Sequence, residues 1–138
     1  MKEEFISWDD DLSVGIQEID EQHKILVGLI NRIYNEAFIK HDNSIANEVL
    51  AELVLYTLIH FSVEESLFRI FNYPKYEEHK AQHAELTKQV MAMKDRIAQG
   101  EQINIDLINF LKNWLKKHIL QEDKKYSRFF AEKALQSS

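Results

Sequence analysis

The chain has 138 residues, the size of one ordinary domain and enough to bury a core without cross-links. It contains no cysteine, which excludes disulfides, thiolate zinc sites, cysteine-ligated iron–sulfur clusters and a cysteine nucleophile. Its 45% hydrophobic and 29% charged residues are the balance of a folded protein, and a formal net charge of -6 with no basic stripe speaks against gripping a nucleic-acid backbone.

Residues 1–11 lack the apolar core of a secretory signal, and no stretch reads as long and apolar enough to cross a bilayer. A cytoplasmic protein without membrane insertion is therefore expected. Three glycines and one proline are few breaks, so long helices are expected. No repeat, linker or low-complexity tract divides the chain, which reads as one domain over 1–138, with an N-terminal arm over 1–17 and a helical bundle over 18–133. The arm carries Phe5, Trp8, Leu12, Val14 and Ile16, expected to lie over one end of the core.

From Ile19 the inward positions step by three and four through His23, Leu26, Ile30, Ile33 and Ala37, one face of a helix. A second helix opens after Asp42-Asn43-Ser44, all good N-cap residues. It runs through Val49, Leu53, Tyr56, His60, Glu64, Leu67 and Phe71, stopping at Asn72-Tyr73-Pro74. The third, through Tyr76, His79, His83, Leu86, Val90, Met93 and Ile97, ends at Gly100. The fourth starts near Asn104 and continues through Leu107, Leu111, Trp114 and His118 towards Tyr126, Phe129 and Phe130. Short connections favour antiparallel neighbours, so the fold class is all-α, an up-down-up-down four-helix bundle with an extended N-terminal arm.

The placement of histidine is the informative feature. His23, His60, His79, His83 and His118 fall on these inward faces, and only His41, in a polar connection, does not. One inward histidine is usually a hydrogen-bonded core residue. Five of them on four helices would each cost a few kcal/mol if left unpaired, roughly the penalty of a buried polar group. A shared metal site removes that cost for all of them.

Glu64 lies one turn beyond His60 on the same face, and His83 one turn beyond His79. A zinc-protease reading of the latter pair fails because Lys80, not glutamate, follows the first histidine. Asp123 is five residues from His118, a step that turns ~140° away in a straight helix. An irregularity between the two is therefore expected. Five imidazoles and two carboxylates exceed the four ligands of one zinc but fit two metals bridged by both carboxylates and one oxygen from water. One metal then has three imidazoles and six ligands, the other two imidazoles, five ligands and an open position. Nitrogen-rich ligation of this kind suits iron, and two ferrous ions, two carboxylates and one hydroxide leave a single net positive charge to bury.

In this order the motifs resemble the hemerythrin family, specifically its single-domain bacterial members. They comprise Trp8…Val14-Gly15-Ile16…Ile19-Asp20-x-x-His23, His60-Phe61-x-x-Glu64-Glu65, Tyr73-Pro74-x4-His79-x3-His83 and Trp114-Leu115-x-x-His118-Ile119-x3-Asp123-Lys124-x-Tyr126. The resemblance implies that His23 and His60 bind one iron and His79, His83 and His118 the other, with Glu64 and Asp123 bridging. It implies two non-heme irons cycling between Fe2+ and Fe3+ under a bridging oxo or hydroxo group. Dioxygen would bind reversibly as hydroperoxide at the five-coordinate iron, inside an apolar pocket matching Phe61, Trp114, Leu115 and Ile119. Excluding water and protons there keeps binding reversible. Phe68 stands where relatives often carry methionine, which would alter the shape of the pocket or the route into it.

The expected function is thus a non-enzymatic oxygen-binding protein for storage, delivery or scavenging. Dioxygen is its ligand, an oxygen-requiring enzyme the expected class of recipient, and a monomer the expected state. The alternatives are a di-iron redox, oxygen or nitric-oxide sensor and a peroxidase-like enzyme. Carboxylate-rich di-iron enzymes use Glu-x-x-His repeats, and none occurs at these five histidines. Glu65 and Glu122 read as solvated, and Asp20 as either an orienter of an imidazole or a helix N-terminal charge.

Overall fold

The computed structural model describes residues 5–8 and 10–136, without the side chains of 119–121 and 133–136. Four long helical stretches follow one another across short connections. Helix α1 spans Gln17–Tyr34 and runs into a π-helical turn over Asn35–Ile39, α2 spans Asn43–Ile70, and α3 spans Tyr76–Ala98. Helix α4 spans Ile105–Lys117, and after a π-helical segment over His118–Asp123 the chain continues as α5, Lys124–Gln136. Among the described residues there is no strand. The fold is the expected all-α bundle, with α1 against α2 and α4, and α2 also against α3.

Local chemistry sets the boundaries. Asp42 accepts the Ile45 amide at 3.1 Å at the start of α2, and Asn104 accepts the Leu107 amide at 2.9 Å at the start of α4. Each satisfies one of the orphan donors of a helix N-terminus. Helix α3 closes where Gly100 adopts φ +110°, a conformation that glycine reaches without steric cost. The π turn at the end of α1 was not legible in the periodicity. There Asn35 is buried and its side-chain amide donates to the Asn31 carbonyl one turn back, competing with the helical ladder.

By length and composition α2 is long and apolar enough to cross a membrane, contrary to the sequence expectation. In this structure its apolar side lines the bundle interior through Val49, Leu50, Leu53 and Phe61. The same face carries His60 and Glu64, both fully buried.

The interior divides into two apolar clusters. The larger includes Leu26, Ile30, Leu50, Leu53, Phe61, Ile108, Leu111, Trp114 and Leu115; the smaller comprises Val14, Ile19, Phe68, Tyr73 and Tyr126. The arm joins both, with Ile6 and Leu12 in the first and Val14 in the second. It therefore runs along the bundle rather than over one end of it. At its start the Phe5 and Ile6 amides both donate to Asn31 Oδ1 at 2.8 Å, and Asn31 Nδ2 donates to the Ile6 carbonyl at 2.8 Å. At its other end Asp20 accepts the Val14 amide at 2.8 Å and the Ser13 hydroxyl, while the Ser127 hydroxyl donates to the Val14 carbonyl.

Asn31→Ala removes three hydrogen bonds that seat the arm. The expected loss is about 2 kcal/mol, read as a lower urea midpoint with an unchanged slope. Asn31→Asp, which keeps the shared acceptor, should lose less; equal losses would show that the amide donor dominates.

Candidate metal centre

The periodicity that placed five histidines inward predicts that they meet, and they do. His23 comes from α1, His60 and Glu64 from α2, His79 and His83 from α3, and His118 and Asp123 from the two ends of the π-helical segment. All seven are at most 3% exposed. The expected irregularity between His118 and Asp123 is this π-helical segment, whose i→i+5 ladder brings residues five apart back to one side. His118 Nε2 consequently lies 3.1 Å from Asp123 Oδ1.

Each of these five histidines turns Nε2 towards one or both of the two acids. Asp123 Oδ2 lies 3.0 Å from His23, and its Oδ1 3.0 Å from His79. Glu64 Oε1 lies 3.1 Å from His83, 3.4 Å from His60 and 3.6 Å from His118. The Nε2 atoms of His23 and His60 approach to 3.0 Å. Despite this crowding, Nε2 of His79, His83 and His118, Glu64 Oε1 and both Asp123 oxygens complete no hydrogen bond. Buried polar atoms this close and still unpaired lack a partner that a bound cation would supply.

The donors form two overlapping groups, each with all its atoms within 4.8 Å of one another. One comprises His79, His83, His118, Glu64 and Asp123; the other His23, His60, Glu64 and Asp123. Both carboxylates belong to both groups.

Electrostatics support the same reading. Burial lowers the His23 imidazole and lowers His60 to about 3, keeping both neutral and able to donate a lone pair. Burial, reinforced by the charge of Glu64, raises the Asp123 carboxyl to about 7. Burial also opposes the Glu64 carboxylate, but the imidazoles of His60, His118 and His83 outweigh it and hold the group well below its ordinary range. Two acids in one dry cavity repel ionisation of the second. Bound cations reverse that preference and favour both carboxylates.

Groups outside the seven fix their orientation. Tyr126, fully buried, donates its hydroxyl to Glu64 Oε2. With Nε2 facing inward, His60 Nδ1 donates to Gln22 Oε1 at 2.6 Å and His83 Nδ1 to Glu65 Oε2 at 3.0 Å. Glu65 is therefore not a solvated side chain. Glu122 is not either: it accepts from Gln82 at 2.9 Å and from Lys125 at 3.2 Å. Asp20 serves the arm and touches no imidazole through the hydrogen bonds just described. Gln22 escaped the sequence analysis; its one available signal was its place beside His23.

Of the expected pocket residues, Phe61, Trp114 and Leu115 are buried together in the larger cluster. Phe61 stacks on His83 with ring centroids 3.8 Å apart, and Trp114 lies parallel to His118 at 6.4 Å. The Ile119 side chain lies outside the described residues. Phe68 sits in the smaller cluster, 4.8 Å from His79 and 5.0 Å from Tyr126. It thus packs behind His79, apart from the cluster that holds Phe61 and Trp114. Between α3 and α4 an open cleft of about 480 Å³, lined by Leu86, Phe110 and Trp114, reaches His118.

A helical bundle with a buried, nitrogen-rich donor set shared by two carboxylates defines the class as a metal-binding four-helix-bundle protein. The hemerythrin HHE cation binding domain matches residues 14–130, and the chain belongs to the hemerythrin family. It is similar to the bacteriohemerythrin of Pseudomonas aeruginosa, with 40% identity over 119 residues covering 86% of this chain and 77% of that one. The bacteriohemerythrin of Clostridium acetobutylicum is 30% identical over 125 residues, covering 86% and 96%. A crystal structure of wild-type hemerythrin superimposes with a TM-score of 0.83 at 25% identity, covering 90% of this chain and 96% of that one.

Tyr126→Phe deletes the donor to Glu64 and leaves a buried carboxylate oxygen unpartnered. The expected cost is about 1–3 kcal/mol in the metal-free protein, measured by denaturant unfolding. Glu64→Ala and His118→Ala should in addition lose bound iron, measured by elemental analysis, whereas His41→Ala, an exposed change, should not. Full iron retention by Glu64→Ala would remove it from the ligand set.

Proposed function

We propose that this chain is a non-heme di-iron oxygen-binding protein that takes up dioxygen reversibly, for storage, delivery or scavenging. The observation that carries the reading is the pair of overlapping donor groups, one with three imidazoles and one with two, sharing Glu64 and Asp123. In it His79, His83 and His118 would hold one iron and His23 and His60 the other, with Glu64 and Asp123 shared by both groups. The irons, when bound, would supply the electrons that dioxygen takes up and the place where it binds.

The chain's own residues supply the rest. Imidazoles outnumber carboxylates in the donor set, which favours reversible binding over carboxylate-driven oxidation. Phe61, stacked on His83 with ring centroids 3.8 Å apart, keeps water from that imidazole. Tyr126 holds Glu64 in one orientation, so that a bridging carboxylate does not swing away. Membership of a family whose similar proteins are named bacteriohemerythrin agrees with the same reading.

One observation favours a second reading, a peroxidase-like or sensory protein. The cleft of about 480 Å³ beside His118 is far larger than dioxygen needs and could admit an organic molecule.

The two are separated by anaerobic loading with ferrous iron followed by cycles of air and vacuum. An oxygen carrier binds two irons per chain and shows a visible absorption band that appears in air and disappears under vacuum over several cycles. Two irons oxidised irreversibly in the first cycle, with an added reducing substrate consumed, would transfer the assignment to the second reading.

A further inference from the structure

Among the described residues, the two donor groups differ in what stands behind their imidazoles as well as in how many they have. His83, in the three-imidazole group, donates Nδ1–H to the Glu65 carboxylate at 3.0 Å. His60, in the two-imidazole group, donates Nδ1–H to the neutral Gln22 amide oxygen at 2.6 Å. Both rings are buried, at 2% and 0% exposure. The Glu65 side chain is itself only 20% exposed, so its charge is partly shielded from water. The Nδ1 atoms of His23 and His118 are buried and complete no hydrogen bond. Among these four rings the asymmetry rests on Glu65 and Gln22.

The chemical consequence has a definite sign. A carboxylate behind an imidazole polarises the Nδ1–H bond and enriches Nε2 in electrons, making it a stronger donor to a cation. Hydrogen bonds to an ionised acceptor are roughly twice as strong as neutral ones. A neutral amide fixes ring orientation and tautomer to the same degree but adds far less electron density. The sequence contributes to this arrangement directly. Glu65 follows Glu64, and Gln22 precedes His23, so each lies beside one donor while reaching the ring of another helix.

We propose that Glu65 and Gln22 are positioning residues that set the two metal positions apart. Glu65 makes the three-imidazole position the tighter and first-filled one, with its ferric state favoured. Gln22 leaves the two-imidazole position weaker and easier to reduce. This rests on the di-iron reading above. It adds an order of filling and names the residues responsible for it.

The test is an anaerobic titration of the metal-free full chain with ferrous iron against a chelator, together with redox titration of the loaded protein. The wild-type chain should bind in two resolved steps. Glu65→Gln should weaken the first step by ~10–100-fold, the usual cost of changing a hydrogen-bond partner of a ligand histidine, and raise the lower of the two reduction potentials. Gln22→Glu should move the other way, tightening the second step towards the first and lowering the higher potential. A role confined to holding the ring would leave both potentials unmoved in these near-isosteric variants. Two irons bound with wild-type affinities and potentials in folded Glu65→Gln and Gln22→Glu would overturn the proposal and leave the di-iron reading intact. Fewer than two irons in the wild-type chain would overturn both. If Glu65→Gln does not fold, the direction of change in Gln22→Glu alone decides.

Discussion

The interior of this bundle holds five imidazoles and two carboxylates, and every other feature of the architecture has to accommodate them. Buried polar groups are tolerated when they are satisfied. Here the inward atoms of His79, His83, His118, Glu64 and Asp123 are not satisfied by one another. They are held at 3.0–3.6 Å, with both acids shared by two groups of histidines. Such a cluster is frustrated as a hydrogen-bond network and coherent as a ligand set. Apolar clusters flank it on either side, and α1 and α2 are long enough to contribute to both clusters and to the centre.

Rigidity comes from outside the donor set. Tyr126 restrains Glu64, Gln22 restrains His60, and Glu65 restrains His83. Each contact joins different helices or the final helical stretch to α2, so the orientation of the ligands and the packing of the bundle are coupled. The arm adds to this coupling. It is clamped by Asn31 at one end and by Asp20 and Ser127 at the other. Its Ile6 and Leu12 side chains complete one cluster and Val14 the other.

The departure from regular helix is as informative as the helices. A straight α4 would carry Asp123 away from His118. The π-helical segment recovers that carboxylate and then releases the chain into α5, where Tyr126 is positioned to reach Glu64. One backbone irregularity thus supplies both a shared acid and the hydroxyl that steadies the other. Regular helix geometry cannot serve both at a five-residue spacing, and this accounts for the location of the irregularity between these two residues.

Much of this was legible in the amino-acid order. Three-and-four stepping fixes which side of a helix faces inward, and it marked all five buried histidines and excluded His41. Asp42, Asn104 and Gly100 announced helix ends through their own local hydrogen bonding and backbone freedom. The five-residue gap from His118 to Asp123 required an irregularity because helix geometry is rigid. What only the tertiary structure decided lies between elements. The partnerships of Gln22 with His60 and Glu65 with His83 join residues 38 and 18 positions apart. Phe68 lies behind His79, and the arm runs along the bundle. Periodicity assigns a side chain to a face but says nothing of the height at which two helices meet. That register is set by packing, and at this centre it determines which imidazole meets an amide and which a carboxylate.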